Sequence, residues 1–306
     1  MPNMNTLTGL TAEMTTFYSK QLIAVAEPLC AYRRHAKKQS VPKHNGTTVN
    51  WRKFEKFDRA TTPLTEGVVP DGRNLDIKPV TANLAQYGDY VKITDRVMLH
   101  AVDDVLVETN KNLGLQAAET LDFVSGSVYC SGANVLFGGG KTSRGNLEAS
   151  DILTCSDILK AAQFLKAKAA QRIDKAYWAV IHPDVAYDIM NSEFWIDVSK
   201  YAAHSKIEEG EIGKIHGVRF VETPNAITVD ESGSTVYQTL IYGDNAFGCC
   251  SFEGGNLQTI VKPLGSAGTA DPLNQFGTTG WKASDANAIL NDDFLIRIET
   301  PSSLTA

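Results

Sequence analysis

From Asp95 to Tyr129 the chain reads DRVMLHAVDDVLVETNKNLGLQAAETLDFVSGSVY, and no proline occurs between Pro79 and Pro183. Met98, Val102, Val105, Thr109, Leu113, Ala117, Leu121, Val124 and Val128 recur every three or four residues, the spacing of one helix face. Polar residues fill most of the other side. With no proline to break it, the stretch predicts one continuous helix, about 50 Å long at 1.5 Å per residue. A usual helix has about 11 to 12 residues. A rod this long suits the spine of a flat, elongated subunit with a structural role better than the interior of a compact domain. Gly114, near its middle, predicts a bend, because glycine costs about 1 kcal/mol inside a helix.

A chain of 306 residues buries a large core, as one large domain or two smaller ones. Its 29 Lys plus Arg stand against 35 Asp plus Glu, a net charge of -6. That argues against a protein whose main task is to grip nucleic acid through phosphate neutralisation, while leaving room for a local basic patch. Cys30, Cys130, Cys155, Cys249 and Cys250 show no C-x-x-C pairing, and neighbouring Cys249 and Cys250 on a strand point to opposite faces. They read as reduced structural residues. No signal-like N-terminus and no apolar run near about 18 residues is present, so the expected site of synthesis is the cytoplasm, without membrane insertion.

Leu10 to about Lys38 has helical periodicity, with Pro28 as a divider and the basic run RRHAKK at Arg33 to Lys38. That run reads as a solvated helix end, or as a contact for a polyanion or an acidic neighbouring chain. TVNWRKFEKFD predicts a strand with Val49, Trp51 and Phe57 near one face. Pro70, Asp71 and Gly72 supply turn chemistry, and NLDIKPVTANL supplies a second strand in which Pro79 marks a bulge or an edge. An isolated hairpin is marginal in water. Its aromatics need cover from this chain or from another subunit, and the length favours another subunit.

Further along, CSGANVLFGGGKTSRGNLEASD reads as a loop. Leu153 to Ile173 reads as a helix capped by Thr154 or Ser156. Tyr177 to Ile181 predicts a buried strand, followed by a short helix begun near Pro183. A strand at Val218 to Glu222 and a pair within TVYQTLIYGDNAFGCCSF complete a mixed α/β unit over about 151–255. Leu257 to Pro263 and Phe294 to Glu299 are strand-like runs framing C-terminal loops.

No constellation carries catalysis. FGGGKTS lacks the first glycine of a P-loop, where Val135 stands, and follows a helix instead of joining a strand to one. The six histidines, His35, His44, His100, His182, His204 and His216, show no metal-ligand spacing, and His182 reads as a capping or packing residue. Asp103, Asp104 and Glu108 read as solvated or lysine-paired carboxylates of a polar helix face. No G-x-S-x-G elbow occurs. No catalytic, cofactor or metal site is expected, and the chain is not read as an enzyme.

Taken together, ATTPLTEGVVPDG, LAQYGDYVKITDRV, QAAETLD, LTCSDILKAAQFLKAKAA, AVIHPDVAYDI, IGKIHGVRFVET and DPLNQFGTTGWKA resemble tailed-phage major capsid proteins of the Hong Kong 97-type fold, within a coat family related to N4-like podoviruses. The resemblance implies an α+β fold with an N-terminal arm (1–46), an extended hairpin loop (47–94), a spine helix and first part of a peripheral domain (95–150), an axial domain (151–255) and the C-terminal strands of the peripheral domain (256–306). It implies self-assembly into pentamers and hexamers of an icosahedral head around double-stranded DNA, with an encapsulin-like compartment shell as the alternative. The implied location is the virion, after assembly in the host cytoplasm. Partners would be other copies of the chain, a separate scaffolding protein and portal, a decoration protein as a further candidate, and non-specific contact with packaged DNA. The hairpin residues Trp51, Arg52, Lys53, Phe54 and Phe57 would touch a neighbouring subunit, as would Arg33 and Arg34 of the arm. No fused scaffold is expected ahead of the arm, and no lysine and asparagine pair can be matched to the crosslink of some relatives.

Overall fold

In the computed structural model of the protein, the long helical pattern forms α1 (Asp95–His100) and α2 (Val105–Tyr129). The structure describes residues 30–42, 46–55, 57–64, 66–67, 69, 72–100, 105–192, 211–231, 233–252, 256–266, 268 and 271–304. Continuity between α1 and α2, with Val102, Asp103 and Asp104, therefore lies outside the described residues, as do most of the arm and the turn residues Pro70 and Asp71.

α2 alone has 25 residues, about 37 Å at 1.5 Å per residue. It passes through Gly114 without a break, so the expected bend does not interrupt it; the glycine lies on the buried side. The buried stripe is Asn110, Leu113, Gly114, Ala117, Ala118, Leu121, Asp122, Ser125, Gly126 and Tyr129. It is rotated from the predicted one and includes polar residues assigned to solvent. They are buried because each has a partner on the strand Phe276–Ile289 or on the arm, and a buried polar group that is hydrogen-bonded is tolerated.

Upstream of the helices lie β1 (Lys37–Val41), β2 (Thr48–Phe54), β3 (Ile77–Asn83) and β4 (Ala85–Thr94). Downstream come β5 (Val135–Phe137), α3 (Cys155–Ala167), β6 (Tyr177–Ile181), α4 (Pro183–Met190), β7 (Glu211–Ile215), β8 (Val218–Glu222), β9 (Thr228–Glu231), β10 (Ser234–Tyr242), β11 (Phe247–Phe252), β12 (Gln258–Lys262), β13 (Phe276–Ile289) and β14 (Leu295–Thr300). Thr154 caps α3, its hydroxyl accepting from the Asp157 N–H. His182 caps α4, its Nδ1 accepting from the Asp184 N–H at 3.2 Å. Both were legible as caps.

One sheet runs β5-β14-β10-β6-β8-β7, with β9 on β10. β6 is buried along its whole length, as a central strand covered on both faces should be. On one face, Ile158, Leu165, Val185 and Ile189 of α3 and α4 pack against Tyr177, Ala179, Phe220 and Ile241. On the other, Trp178, Val180, Leu240 and Tyr242 meet Tyr32, Tyr129 and Phe247. This sheet draws β5 and β14 from outside residues 151–255, while β11, from inside that range, joins the second sheet.

The second sheet is built on β13, which pairs β4 from Phe276↔Thr94 to Asp285↔Ala85 and carries β12 and β11 on its other edge. β1 adds to β11 in parallel. α2 lies along β13 through a series of polar ties. Thr279 Oγ1 donates to Asn110 Oδ1 at 2.7 Å, Trp281 Nε1 to Gln116 Oε1 at 3.1 Å, and Ser125 Oγ and Tyr129 Oη to Asn287 Oδ1, each at 3.1 Å. Leu113, Ala117, Leu121, Trp281 and Ala283 fill the space between. Cys249 faces one hydrophobic cluster and Cys250 the other, the alternation expected of neighbours on a strand. None of the five cysteines forms a disulfide, and burial pushes the Cys30 and Cys130 thiols up to about 11 and about 12.

Candidate assembly surface

The arm enters the described structure at a turn, not at the end of a helix. Residues 31–36 turn and lead into β1, so the helical reading fails over this part of the segment that was predicted to reach Lys38. The backbone N–H groups of Ala31, Tyr32 and Arg33 donate to the Asp122 carboxylate of α2 at 3.1, 2.9 and 3.3 Å. Burial raises the Asp122 pKa to about 6, against the opposing pull of those three donors and of the Arg33 charge. The Tyr32 ring drops over Gly126, where an added Cβ would meet two ring carbons at 2.9 Å, and its hydroxyl accepts the Ile227 N–H at 3.2 Å.

Arg33 was expected in contact with a neighbouring subunit. Instead it reaches Asp285 of β13 at 2.8 Å, beside a carboxylate side chain that is 2% exposed. Burial makes an unpaired Asp285 costly, so the ion pair holds this arginine within its own subunit. Arg34 is exposed, with its guanidinium 5.1 Å from the centroid of the Trp178 ring. Sequence reasoning missed Asp122, Tyr32 and Asp285. The signal for Asp122 was its place one residue after Leu121 and three before Ser125, on the apolar side of the helix.

β2 and β3 form the expected hairpin, Thr48↔Asn83 to Phe54↔Ile77, with Pro79 opposite Arg52. Its base is not open to a neighbour. Trp51 is 7% exposed and packs with Val41, Val49, Ala82, Cys250, Ala286 and Ala288 of the same chain. The reading of Trp51 as awaiting cover from another subunit is corrected: β1, β11 and β13 supply that cover. Lys53 Nζ donates to Asn291 Oδ1 at 2.8 Å, tying the hairpin to the loop after β13, and Arg52 is exposed. Beyond the base the character changes. Phe54 and Phe57 are 58% and 52% exposed, and Leu64, Val69, Leu75 and Ile77 are exposed with them. Exposed large apolar side chains are thus concentrated on this part of the hairpin.

A groove of about 770 Å³ opens on the outer face of β4, β12 and β13, lined by Tyr90, Ile260, Phe276, Lys92, Lys262 and Lys282 among others. The glycine-rich loop has a packing role. An added Cβ on Gly138 would lie 2.2 Å from the Asp151 carbonyl oxygen, and one on Gly139 would meet the Asp151 carboxylate. Lys141 pairs with Glu148 at 3.1 Å and Asp151 at 3.6 Å. Arg144 grips the fully buried Glu299 with two bonds of 2.7 Å, pinning the loop to β14. Among the described residues, no group of three or more His, Cys, Asp or Glu is placed to hold a metal ion, and no helix is long and apolar enough to cross a membrane.

No protein-family model and no curated protein sequence matches the chain. Solved structures do. The chain is similar to the capsid of cyanophage Pam1 at 15% identity, over 92% of this chain and 93% of that one, with a TM-score of 0.67. The capsid of Ralstonia phage GP4 matches at 15% identity over 87% of each chain, with a TM-score of 0.67. A virus-like particle from Pyrococcus furiosus matches at 10% identity over 94% of this chain and 99% of that one, with a TM-score of 0.58. The hairpin, the long helix laid on a sheet and the α/β layer are thus an α+β arrangement with the fold of these phage capsid structures. More particularly, the chain has the Hong Kong 97-type fold of tailed-phage major capsid proteins.

Proposed function

We propose that this chain is the major capsid protein of a tailed-phage head, assembling as pentamers and hexamers into an icosahedral shell around double-stranded DNA. The observation that carries the reading is a capsid fold extending over nine-tenths of the chain. The exposed apolar side chains of the hairpin, Phe54 and Phe57 among them, support it. Residues 1–46 act as the arm and 47–94 as the loop laid over a neighbour. Residues 95–150 and 256–306 form the peripheral domain, and 151–255 form the axial domain near the centre of each capsomer. Phe54 and Phe57 make the intersubunit contact, with Arg52 at its margin. A separate scaffolding protein, a portal and a decoration protein complete the particle, which assembles in the host cytoplasm.

Each contact is weak, and a closed shell repeats it many times, so stability is collective. Electron microscopy of the purified protein is expected to show closed shells with five- and six-fold capsomers. A compact monomer that persists under every assembly condition overturns the proposal. The likeness to the Pyrococcus furiosus particle supports a second reading, a compartment shell. Genomic DNA inside native particles decides for the phage head, and an enclosed protein cargo without DNA decides for the compartment.

A further inference from the structure

The stretch between Glu27 and Glu55 contains no Asp or Glu, yet carries Arg33, Arg34, Lys37, Lys38, Lys43, Arg52 and Lys53 in a chain whose net charge is -6. Arg33 is spent on Asp285. Arg34 is not: its guanidinium sits 5.1 Å from the centroid of the Trp178 ring, and that of Arg219 sits 5.6 Å from the same centroid. Among the described residues neither arginine has a carboxylate partner. Trp178 is itself buried, and its ring also packs against His35 at 4.3 Å, so the platform is fixed. A guanidinium resting on a fixed aromatic ring loses little freedom when its outer N–H groups meet a phosphate.

Asp174 acts on the charge of His35 from nearby, and lysines on the neighbouring strands are set against it. Lys37 and Lys38 follow on β1, an exposed edge strand. Lys214 lies opposite Arg219 in the β7–β8 register, and its Nζ donates to the Lys175 carbonyl at 3.3 Å. No large hydrophobic side chain is exposed over residues 30–42, 168–181 or 214–222. The buried core of a protein interface is enriched in apolar and aromatic side chains, whereas affinity for a phosphate backbone comes chiefly from cations.

We propose that Arg34 and Arg219 on Trp178, flanked by Lys37, Lys38 and Lys214, form a sequence-independent binding surface for the phosphate backbone of duplex DNA. The inference rests on the capsid reading for its biological setting, since it marks this face as the one turned to the packaged genome. Its physical content is independent of shell formation.

The test uses unassembled full-length protein and a short labelled random-sequence duplex, with affinity measured across a salt series. Arg34→Gln with Arg219→Gln keeps a planar group on the ring and removes both charges. It is expected to weaken binding about tenfold at roughly 0.1 M salt and to lower the slope of log affinity against log salt by up to about 1.8, about 0.9 for each lost phosphate contact. Lys92→Ala with Lys262→Ala removes the same charge from the far groove and should change affinity less than about twofold, the share of general electrostatics. On the wild type, which needs no variant to fold, the duplex should shield Lys37 and Lys38 from acetylation and leave Lys262 reactive. The proposal is overturned if the wild type does not bind the duplex, if both double variants weaken it equally, or if Lys37 and Lys38 stay reactive. It is also overturned if the arginine variant blocks shell assembly with duplex affinity intact, which would assign the surface to an acidic patch of a second copy. Absence of shells in the wild type would instead count against the capsid reading.

Discussion

Trp51 and Phe54 are three positions apart on β2 and do different work. Trp51 closes a cluster within the subunit, so Trp51→Ala is expected to cost the subunit about 3–5 kcal/mol, read as a lower thermal midpoint of unassembled protein. Phe54→Ala with Phe57→Ala removes exposed rings, so subunit stability should change by less than about 1 kcal/mol while the concentration needed for assembly rises several-fold. Equal losses of stability and assembly in the phenylalanine variant would place those rings in the core. Asp122 makes a separate prediction. Its carboxyl titrates at about 6 when folded, against an ordinary value of 3.8, so the folded state holds the proton more tightly than the unfolded one. The stabilisation from protonation is fully present below about pH 3.8 and is lost as pH rises through about 6. It amounts to on the order of 3 kcal/mol. Denaturant unfolding of wild type and Asp122→Asn across pH 4 to 7 should show the wild type losing stability relative to the variant as pH rises. A wild type that gains on the variant over that window refutes it.

Among the elements, strong local signals read true. β6 and β8 have the expected bounds, α4 starts at Pro183, and the caps at Thr154 and His182 sit where the residue types placed them. β13 was hidden, because FGTTGWKASDANAI is rich in small and turn-forming residues with weak strand preference. It is a strand because β4, β12, β11 and α2 surround it, a tertiary effect that no short window contains. The stripe on α2 shifted for a related reason: a carboxylate, an amide and a hydroxyl were assigned to water, though their partners lie far away in sequence. The hairpin was legible as a hairpin, but the split between its buried base and its exposed tip depends on what stands beneath it. Gly126 offers a test at this scale. Gly126→Ala gains about 1 kcal/mol of helix preference but sets a methyl against the Tyr32 ring, and overpacking of this kind costs about 1–3 kcal/mol. A net drop in thermal midpoint is expected, with more exchange at the Tyr32 amide; a more stable variant would mean that the arm turn moves aside freely.

In the whole molecule, two sheets share one chain that crosses between them repeatedly, and the arm is stitched to both. Asp122 and Asp285 hold its turn to the long helix and to β13, while Tyr32 and Trp178 seat it against the α/β layer. The apolar hairpin tip stands outside this stitched body. That separation leaves exposed apolar side chains on the hairpin while the rest of the described subunit packs its own core, the arrangement that the proposed role as a shell tile requires. Closed shells under electron microscopy remain the decisive expectation.

The Arg33–Asp285 pair joins residues 252 positions apart. During synthesis the arm leaves the ribosome well before the strand that receives it. At about 5–20 residues per second, the arm waits on the order of 10–50 s for its dock. Timing is therefore written into the topology. A nascent chain cannot present a finished arm until β13 has been made, and a ribosome that stalls before β13 releases a chain with no seat for it.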